Sequence, residues 1–171
     1  MRKIVIGLMG PGTDLSEFDR QNAYELGKLI AQAGWILLTG GRNVGVMQAA
    51  NLGAKSANGL TIGILPTADD NGISQAVDIA IFTDMGNARN NINVLSSDVV
   101  IACGMGAGTA SEVALALKAC KKVILLTDNQ ESQLFFKGLS AENILIAKTP
   151  ENAIAFVKKV LTSRQKYSSP Q

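Results

Sequence analysis

Apolar residues in this chain gather into short runs of β-branched and aliphatic side chains, and longer mixed segments separate these runs. Residues 4–8 read Ile-Val-Ile-Gly-Leu, and residues 35–39 read Trp-Ile-Leu-Leu-Thr. Both runs are continuously apolar rather than alternating, which is typical of parallel strands buried on both faces of a sheet. The same pattern predicts strands at residues 4–8, 35–39, 60–65, 77–82, 98–103, 122–127 and 143–147.

The mixed segments between the strands have the apolar spacing of amphipathic helices. Residues 16–33 show it clearly, and Gly34 follows as a natural helix end because glycine readily adopts left-handed backbone angles. Strand–helix alternation predicts an α/β fold: one three-layer, Rossmann-like, doubly wound domain around a mainly parallel sheet. We expect this domain to span residues 1–163, with a flexible tail at 164–171. Helices are predicted at residues 16–33, 44–55, 87–96, 110–119 and 150–163.

Three glycine-rich turns each follow a predicted strand. They read Gly-Pro-Gly-Thr-Asp at residues 10–14, Thr-Gly-Gly-Arg-Asn-Val-Gly-Val-Met at 39–47, and Gly-Met-Gly-Ala-Gly-Thr-Ala-Ser-Glu at 104–112. The carboxyl ends of parallel strands meet at one sheet edge, so these turns should converge there. Main-chain N–H groups of such turns and of helix N-termini bind anions. A phosphate-bearing ligand is therefore expected, with its phosphate on the amides of residues 106–109.

Each turn also has a purely structural interpretation. Thr109 and Glu112 have the spacing of a capping box, and residues 39–47 could form a tight strand-to-helix connection. Asp14 or Ser16 could cap the first helix. These alternatives stay open on spacing alone.

A fourth polar segment lies at residues 86–91 and reads Gly-Asn-Ala-Arg-Asn-Asn. Arg89 at this helix start could pair with a phosphate, although an exposed position is the more common fate of an arginine. The asparagines of this segment are unusually polar for a helix that packs on a sheet, which favours a polar site nearby.

These motifs resemble the Rossmann-like SLOG, or "lysine decarboxylase-like", superfamily, which contains the LONELY GUY phosphoribohydrolases and the molybdenum cofactor carrier proteins. The hydrolases carry a GG-x-x-x-G-x-M element, which residues 40–47 match here, and a PGGxGTxxE motif, which corresponds to residues 104–112. Arg89 falls at the position of the hydrolases' arginine, and Asn90 stands where they have a lysine. The resemblance spans nearly the whole chain.

The departures from the hydrolase motifs favour the carrier branch. Gly104-Met105 replaces the Pro-Gly opening, and the lysine is lost. The sequences Met-Gly-Pro-Gly at residues 9–12 and Gly-Asn-Ala-Arg-Asn at 86–90 look more like the carriers. The resemblance then implies a homodimer or homotetramer that binds, protects and delivers the molybdenum cofactor (molybdopterin) without turnover, with molybdoenzymes as possible acceptors.

The alternative is a phosphoribohydrolase that cleaves a nucleoside 5′-monophosphate, in which Arg89 and Glu112 would be the catalytic residues. A nucleotide-sensing module is a third class, for which the sequence offers no specific support. In either of the first two readings the ligand site is built from the same turns. Its expected residues are Gly10, Pro11, Gly12, Thr13, Gly40, Gly41, Arg42, Asn43, Arg89, Asn90, Gly104, Met105, Gly106, Ala107, Gly108, Thr109 and Glu112.

The composition of the chain excludes further classes of function. The chain has 171 residues, of which 47% are apolar and 18% charged, enough for a buried core. Its net charge is only +2 and no Lys/Arg stripe stands out, so we expect no nucleic-acid partner. It has no histidine, which excludes a His general base, a Ser-His-Asp triad and a His metal ligand.

The two cysteines, Cys103 and Cys120, are too few for an all-cysteine zinc site, and both are expected to be buried apolar side chains. No catalytic metal is predicted. The apolar run near the N-terminus is too short for a signal peptide or a membrane span. We therefore expect a cytoplasmic protein without a membrane partner.

Overall fold

The computed structural model describes the backbone of residues 2–167 and the side chains of residues 2–163, and it contains every predicted strand. The strands are β1 Val5–Met9, β2 Ile36–Thr39, β3 Thr61–Leu65, β4 Ile79–Phe82, β5 Val99–Cys103, β6 Val123–Leu126 and β7 Ile144–Ile146. They form one sheet in the order β4-β3-β2-β1-β5-β6-β7, and every pairing between them is parallel. The predicted α/β fold is confirmed.

Helices cover both faces of this sheet. They are α1 Glu17–Gln32, α2 Gly45–Ser56, α3 Arg89–Ser96, α4 Ala107–Lys118, α5 Gln130–Leu139 and α6 Pro150–Tyr167. One apolar cluster joins α1, α2 and α6 to one face, and a second cluster joins α3, α4 and α5 to the other. Within β5, Val99 and Ile101 belong to the first cluster and Val100 to the second. Because successive strand residues point to opposite faces, a continuous apolar run fills both layers.

Helices α1 and α2 approach each other unusually closely. A Cβ atom added to Gly27 would lie 2.0 Å from the Ala50 carbonyl oxygen, and one added to Gly53 would lie 1.9 Å from the Tyr24 carbonyl oxygen. Glycine is required at both positions because backbone of the neighbouring helix occupies the space. The small residues of α2 thus serve a contact inside the chain.

The structure corrects several boundaries. The predicted helix 87–96 is a 3₁₀ turn at Gly86–Ala88 followed by α3, and α4 begins at Ala107 instead of residue 110. Helix α6 continues to Tyr167, so the first part of the predicted tail is helical, while residues 168–171 lie outside the described residues. The prediction missed α5 altogether.

The failure at α5 has a physical cause. Leu134, Phe135 and Leu139 are exposed on this helix, and Phe136 is its one fully buried side chain. The helix has only ten residues, four of them apolar, which is shorter than the window of about 11–18 residues over which helical spacing is recognised. Asn129 nevertheless caps the helix, since its side-chain oxygen accepts a 2.8 Å hydrogen bond from the Ser132 N–H.

Two burial predictions were wrong. The edge strand β4 exposes Ile79, Ile81 and Phe82, although its apolar run resembles those of the central strands. Cys103 is buried as expected, whereas Cys120 is exposed. Cys120 follows the end of α4 with a φ of 55°, a left-handed conformation that terminates the helix.

Candidate functional site

The glycine-rich turns meet where the winding of the sheet reverses. Strand β1 lies between β2 and β5, and the chain connections run outward in opposite directions from this centre. Ligands of doubly wound sheets bind at such a switch point, at the carboxyl ends of the strands. A cavity of about 640 Å³ opens there, within the range of small-molecule sites. The turns at residues 10–14, 39–47 and 104–112 all contribute to its wall, together with α3.

The N-terminus of α4 forms one wall of this cavity. Gly106 is the N-cap residue, has extended backbone and makes no side-chain capping hydrogen bond. The N–H groups of Ala107, Gly108 and Thr109 therefore lack partners in the preceding turn, and their residues line the cavity. Their unpaired donors and the positive end of the helix dipole suit an anion.

The capping box that spacing suggested for Thr109 and Glu112 is not formed. Because α4 begins three residues earlier, Thr109 lies within its first turn and does not precede the helix. The Thr109 side chain is buried, and its Oγ1 has no hydrogen-bond partner among the described residues. At α1, in contrast, Ser16 is the cap, and its Oγ accepts a 3.0 Å hydrogen bond from the Asp19 N–H.

Arg89 is buried at the cavity wall, with only 9% of its surface exposed. Its Nη1 donates a 2.7 Å hydrogen bond to the Ile64 carbonyl oxygen, while its buried Nε has no partner among the described residues. Burial lowers the pKa of the guanidinium, and the nearby Glu112 carboxylate counteracts this shift. The cationic form therefore persists at neutral pH, because an arginine starts from a very high pKa.

Gly40 makes room for this arginine. A Cβ atom added to Gly40 would lie 2.1 Å from Arg89 Nη1 and 2.7 Å from Met47 Sδ. A second close approach occurs at Gly45, where a Cβ atom would lie 2.1 Å from the Pro11 carbonyl oxygen and φ is 55°. The glycines of the second turn thus let the first turn and α3 pack against it.

Glu112 carries the second buried charge of the cavity. Its Oε1 accepts a 2.8 Å hydrogen bond from the side-chain amide of Asn93, whose own Oδ1 is buried without a partner among the described residues. Burial raises the pKa of Glu112 to about 7, although the Asn93 hydrogen bond and the Arg89 charge lower it. Glu112 therefore exchanges between its neutral and ionised forms near neutral pH.

Asn90, at the position of the hydrolases' lysine, joins α3 to α4. Its side-chain amide donates a 2.8 Å hydrogen bond to Ser111 Oγ, which itself donates to the Gly108 carbonyl oxygen at 2.7 Å. Asn90 also lines the cavity. This side chain presents a neutral amide where the hydrolases present a cation.

Most of the expected ligand residues line the cavity in the structure, and three of them do not. Gly41 and Asn43 shape the second turn through backbone hydrogen bonds with Ser74 and Gly72. The N–H of Gly104 donates to the Leu126 carbonyl oxygen, with φ at 70°. The predicted residues on the cavity wall are Gly10, Pro11, Gly12, Thr13, Gly40, Arg42, Arg89, Asn90, Met105, Gly106, Ala107, Gly108, Thr109 and Glu112.

Sequence reasoning missed further lining residues. They are Leu8, Met9, Asp14, Val44, Met47 and Asn87. Most of them belong to the quoted motifs, so the available signal was their position within a glycine-rich motif. The apolar side chains of Leu8, Met9, Val44 and Met47 gave no chemical reason to select them.

The described residues contain neither a cluster of metal-ligating side chains nor a membrane-spanning helix. In residues 2–163, whose side chains are placed, no group of three or more Cys, Asp or Glu side chains is arranged to hold a metal ion. None of the helices in the described part of the chain has the length and apolarity needed to span a membrane.

Comparison with known proteins gives consistent matches. The family model of the SLOG cluster4 family matches residues 3–154. The structure resembles the molybdenum cofactor binding protein of the phototrophic bacterium Rippkaea orientalis, with 62% identity, a TM-score of 0.93, and coverage of 94% of this chain and 99% of that one. It also resembles the Moco carrier protein of Chlamydomonas reinhardtii, with 55% identity, a TM-score of 0.89, and coverage of 95% and 99%. An uncharacterized protein of Archaeoglobus fulgidus is 41% identical over 156 residues, covering 91% of this chain and 95% of that protein.

Proposed function

We propose, from the premise that this chain belongs to the SLOG cluster4 family, that it binds the molybdenum cofactor and carries it without chemical turnover. The similar proteins of Rippkaea orientalis and Chlamydomonas reinhardtii are described as a cofactor binding protein and a carrier. The matches to both proteins cover nearly the whole of this chain and of theirs.

The observation that carries the proposal is a set of unpartnered donors around one cavity. Within the part of the chain that the structure describes, Arg89 Nε and Thr109 Oγ1 are buried without partners and the first turn of α4 has no side-chain cap. A buried donor without a partner costs about 1–3 kcal/mol, so a ligand that accepts from these groups is stabilised by their pairing. The terminal phosphate of molybdopterin supplies several acceptor oxygens and a negative charge.

The groups present fit the phosphate end of the cofactor. Arg89 would neutralise its charge, the backbone N–H groups of residues 107–109 would donate hydrogen bonds to its oxygens, and the Thr109 hydroxyl would donate another. The bound cofactor would supply the redox-active molybdenum that an acceptor enzyme needs. This chain would bind, orient and shield it from water and oxygen.

The absence of turnover is part of the proposal, and one feature of the site supports it. The neutral amide of Asn90, engaged by Ser111, occupies the position of the hydrolases' lysine. Arg89 and Glu112 both line the cavity, so the hydrolase alternative needs a direct test. We expect no free adenine when the protein is incubated with adenosine monophosphate; release that disappears in Glu112→Gln would refute the carrier proposal.

Phosphate binding tests the site itself. Isothermal titration with inorganic phosphate should show weaker binding for Thr109→Val, by about fivefold, and for Arg89→Gln, by about 30-fold. The exposed Thr162→Val and Arg20→Gln are matched controls and should bind as the wild type does. Equal affinity in all five proteins would mean that the phosphate does not use this cavity.

A carrier must protect the molybdenum cofactor from oxidation and transfer it to an acceptor enzyme. Under air, excess protein should slow the oxidation of added molybdenum cofactor, and the loaded protein should activate a cofactor-free molybdoenzyme. Arg89→Gln should do both poorly, whereas Arg20→Gln should match the wild type. A cytoplasmic location and a homodimer or homotetramer complete the proposal, and sedimentation equilibrium tests the oligomer.

A further inference from the structure

Three of the chain's five methionines line the cavity, and they reach it from three different elements. Met9 ends β1, Met47 lies in the first turn of α2, and Met105 lies in the turn before α4. In contrast, no Phe, Tyr or Trp among the residues with described side chains lines this cavity. Methionines therefore take the place of aromatic residues among the residues that line this cavity.

These thioethers flank the proposed phosphate donors. Met47 Sδ and Arg89 Nη1 both approach the point that a Gly40 Cβ atom would occupy, so the sulfur lies beside the guanidinium. Met47 Cε lies 3.5 Å from the corresponding point of Gly12, so the side chain reaches from the second turn to the first. Met105 directly precedes Gly106, the N-cap of α4.

A ligand whose ring lies a few bonds from its phosphate would contact the methionine thioethers and the phosphate donors at the same time. Sulfur–aromatic contacts are favourable, with the sulfur about 5 Å from the ring. The Met47 side chain is 8% exposed, so packing already holds it before a ligand arrives, whereas Met9 is buried in the apolar core and leaves the contact to Met47 and Met105. Little rotamer freedom would then be lost on binding.

We propose that Met47 and Met105 form the surface that holds the pterin ring of the cofactor through thioether–ring contacts. The inference rests on the proposed function and deepens it, since it assigns the ring and the phosphate to different groups of the same cavity. The methionines select a flat heteroaromatic ring, and the donors around Arg89 select the phosphate.

Methyl NMR of protein labelled with ¹³C at the methionine ε-methyl groups tests this contact directly. The probes are 6-hydroxymethylpterin, which has no phosphate, and inorganic phosphate. We expect the pterin to shift the Met47 and Met105 methyl signals upfield through its ring current. The signal of Met85, which is exposed and outside the cavity wall, should not move and serves as the control.

Variants separate the sulfur contact from simple apolar contact. Met47→Leu and Met105→Leu keep side-chain volume and should bind 6-hydroxymethylpterin about two- to tenfold more weakly, with unchanged affinity for phosphate. Met47→Gln should lose more of its affinity for 6-hydroxymethylpterin, and Met85→Leu should bind this probe as the wild type does. Wild-type pterin affinity in both cavity leucine variants would overturn the inference.

The two proposals fail in different ways. If phosphate binds at the α4 N-terminus but the pterin leaves the Met47 and Met105 signals unmoved, only the methionine surface is refuted. If the wild type binds neither probe, the proposed function fails and the ring-binding surface fails with it.

Discussion

The side-chain amide of Asn93 donates a 2.8 Å hydrogen bond to Glu112 Oε1 and thereby joins α3 to α4 at the cavity. Both residues are buried, and burial raises the pKa of Glu112 to about 7 from an ordinary value of 4.5. One side chain of the proposed binding site thus changes its charge within the physiological pH range. The stability of the protein and its affinity for an anion should therefore both depend on pH.

The stability of the wild type relative to Glu112→Gln should fall as pH rises from 4.5 to 7. The folded protein holds the Glu112 proton more tightly than the unfolded chain, so the favourable contribution is complete below pH 4.5 and is lost as pH rises through 7. The difference amounts to about 3 kcal/mol. Urea unfolding across this range measures it, and stability curves that stay parallel would contradict the pKa shift.

Anion affinity should also fall as Glu112 ionises. Sulfate keeps a constant charge between pH 6 and 8, so it separates the titration of the protein from that of the ligand. We expect the wild type to bind sulfate about fivefold more weakly at pH 8 than at pH 6, because a second charge then opposes the anion. Glu112→Gln should show a flat profile by isothermal titration, and a slope equal to that of the wild type would assign the effect to another group.

Gly40→Ala should weaken phosphate binding with little loss of stability. The new methyl group would meet Arg89 Nη1 and Met47 Sδ, which are the ends of long side chains, so small shifts of these ends relieve the overlap and the backbone stays in place. We expect about tenfold weaker phosphate binding and at most about 1 kcal/mol of destabilisation. Gly138→Ala, whose Cβ atom would meet nothing within 4 Å, is the control and should leave binding intact.

Gly27→Ala should have the opposite effect, a clear loss of stability with little change in phosphate binding. Its methyl group would meet the backbone of Ala50, which cannot move without separating α1 from α2. We expect a loss of about 2 kcal/mol in the free energy of unfolding, measured in urea, in spite of the higher helix propensity of alanine. If Gly27→Ala is as stable as Gly138→Ala, the two helices are not in close contact.

Cys120→Gly should stabilise the protein relative to Cys120→Ala by about 1 kcal/mol. Both variants remove the exposed thiol, and only glycine adopts the φ of 55° without steric cost. Thermal and urea unfolding of the two variants provide the comparison. A more stable alanine variant would mean that this residue is not left-handed in solution.

Much of the fold was predictable because its signals are local. The apolar runs identify the strands, and residues such as Ser16 and Gly34 mark helix ends through their own backbone and side-chain chemistry. Helix α5 escaped prediction because it has only ten residues, too few for helical spacing to be recognised. The Thr109–Glu112 spacing left the capping box undecided because the same spacing fits a capping box and an interior turn of α4 equally well.

The sequence by itself determined the α/β class, the position of the strands and the three glycine-rich turns, since each depends on residues near one another in the chain. Only the tertiary structure decided that Arg89 is buried beside Gly40, that Asn93 reaches Glu112, and that three methionines share one cavity. Burial and charge depend on neighbours that the sheet order brings from distant parts of the chain. Desolvation, which shifts the pKa of Glu112, therefore has no signature in the local sequence.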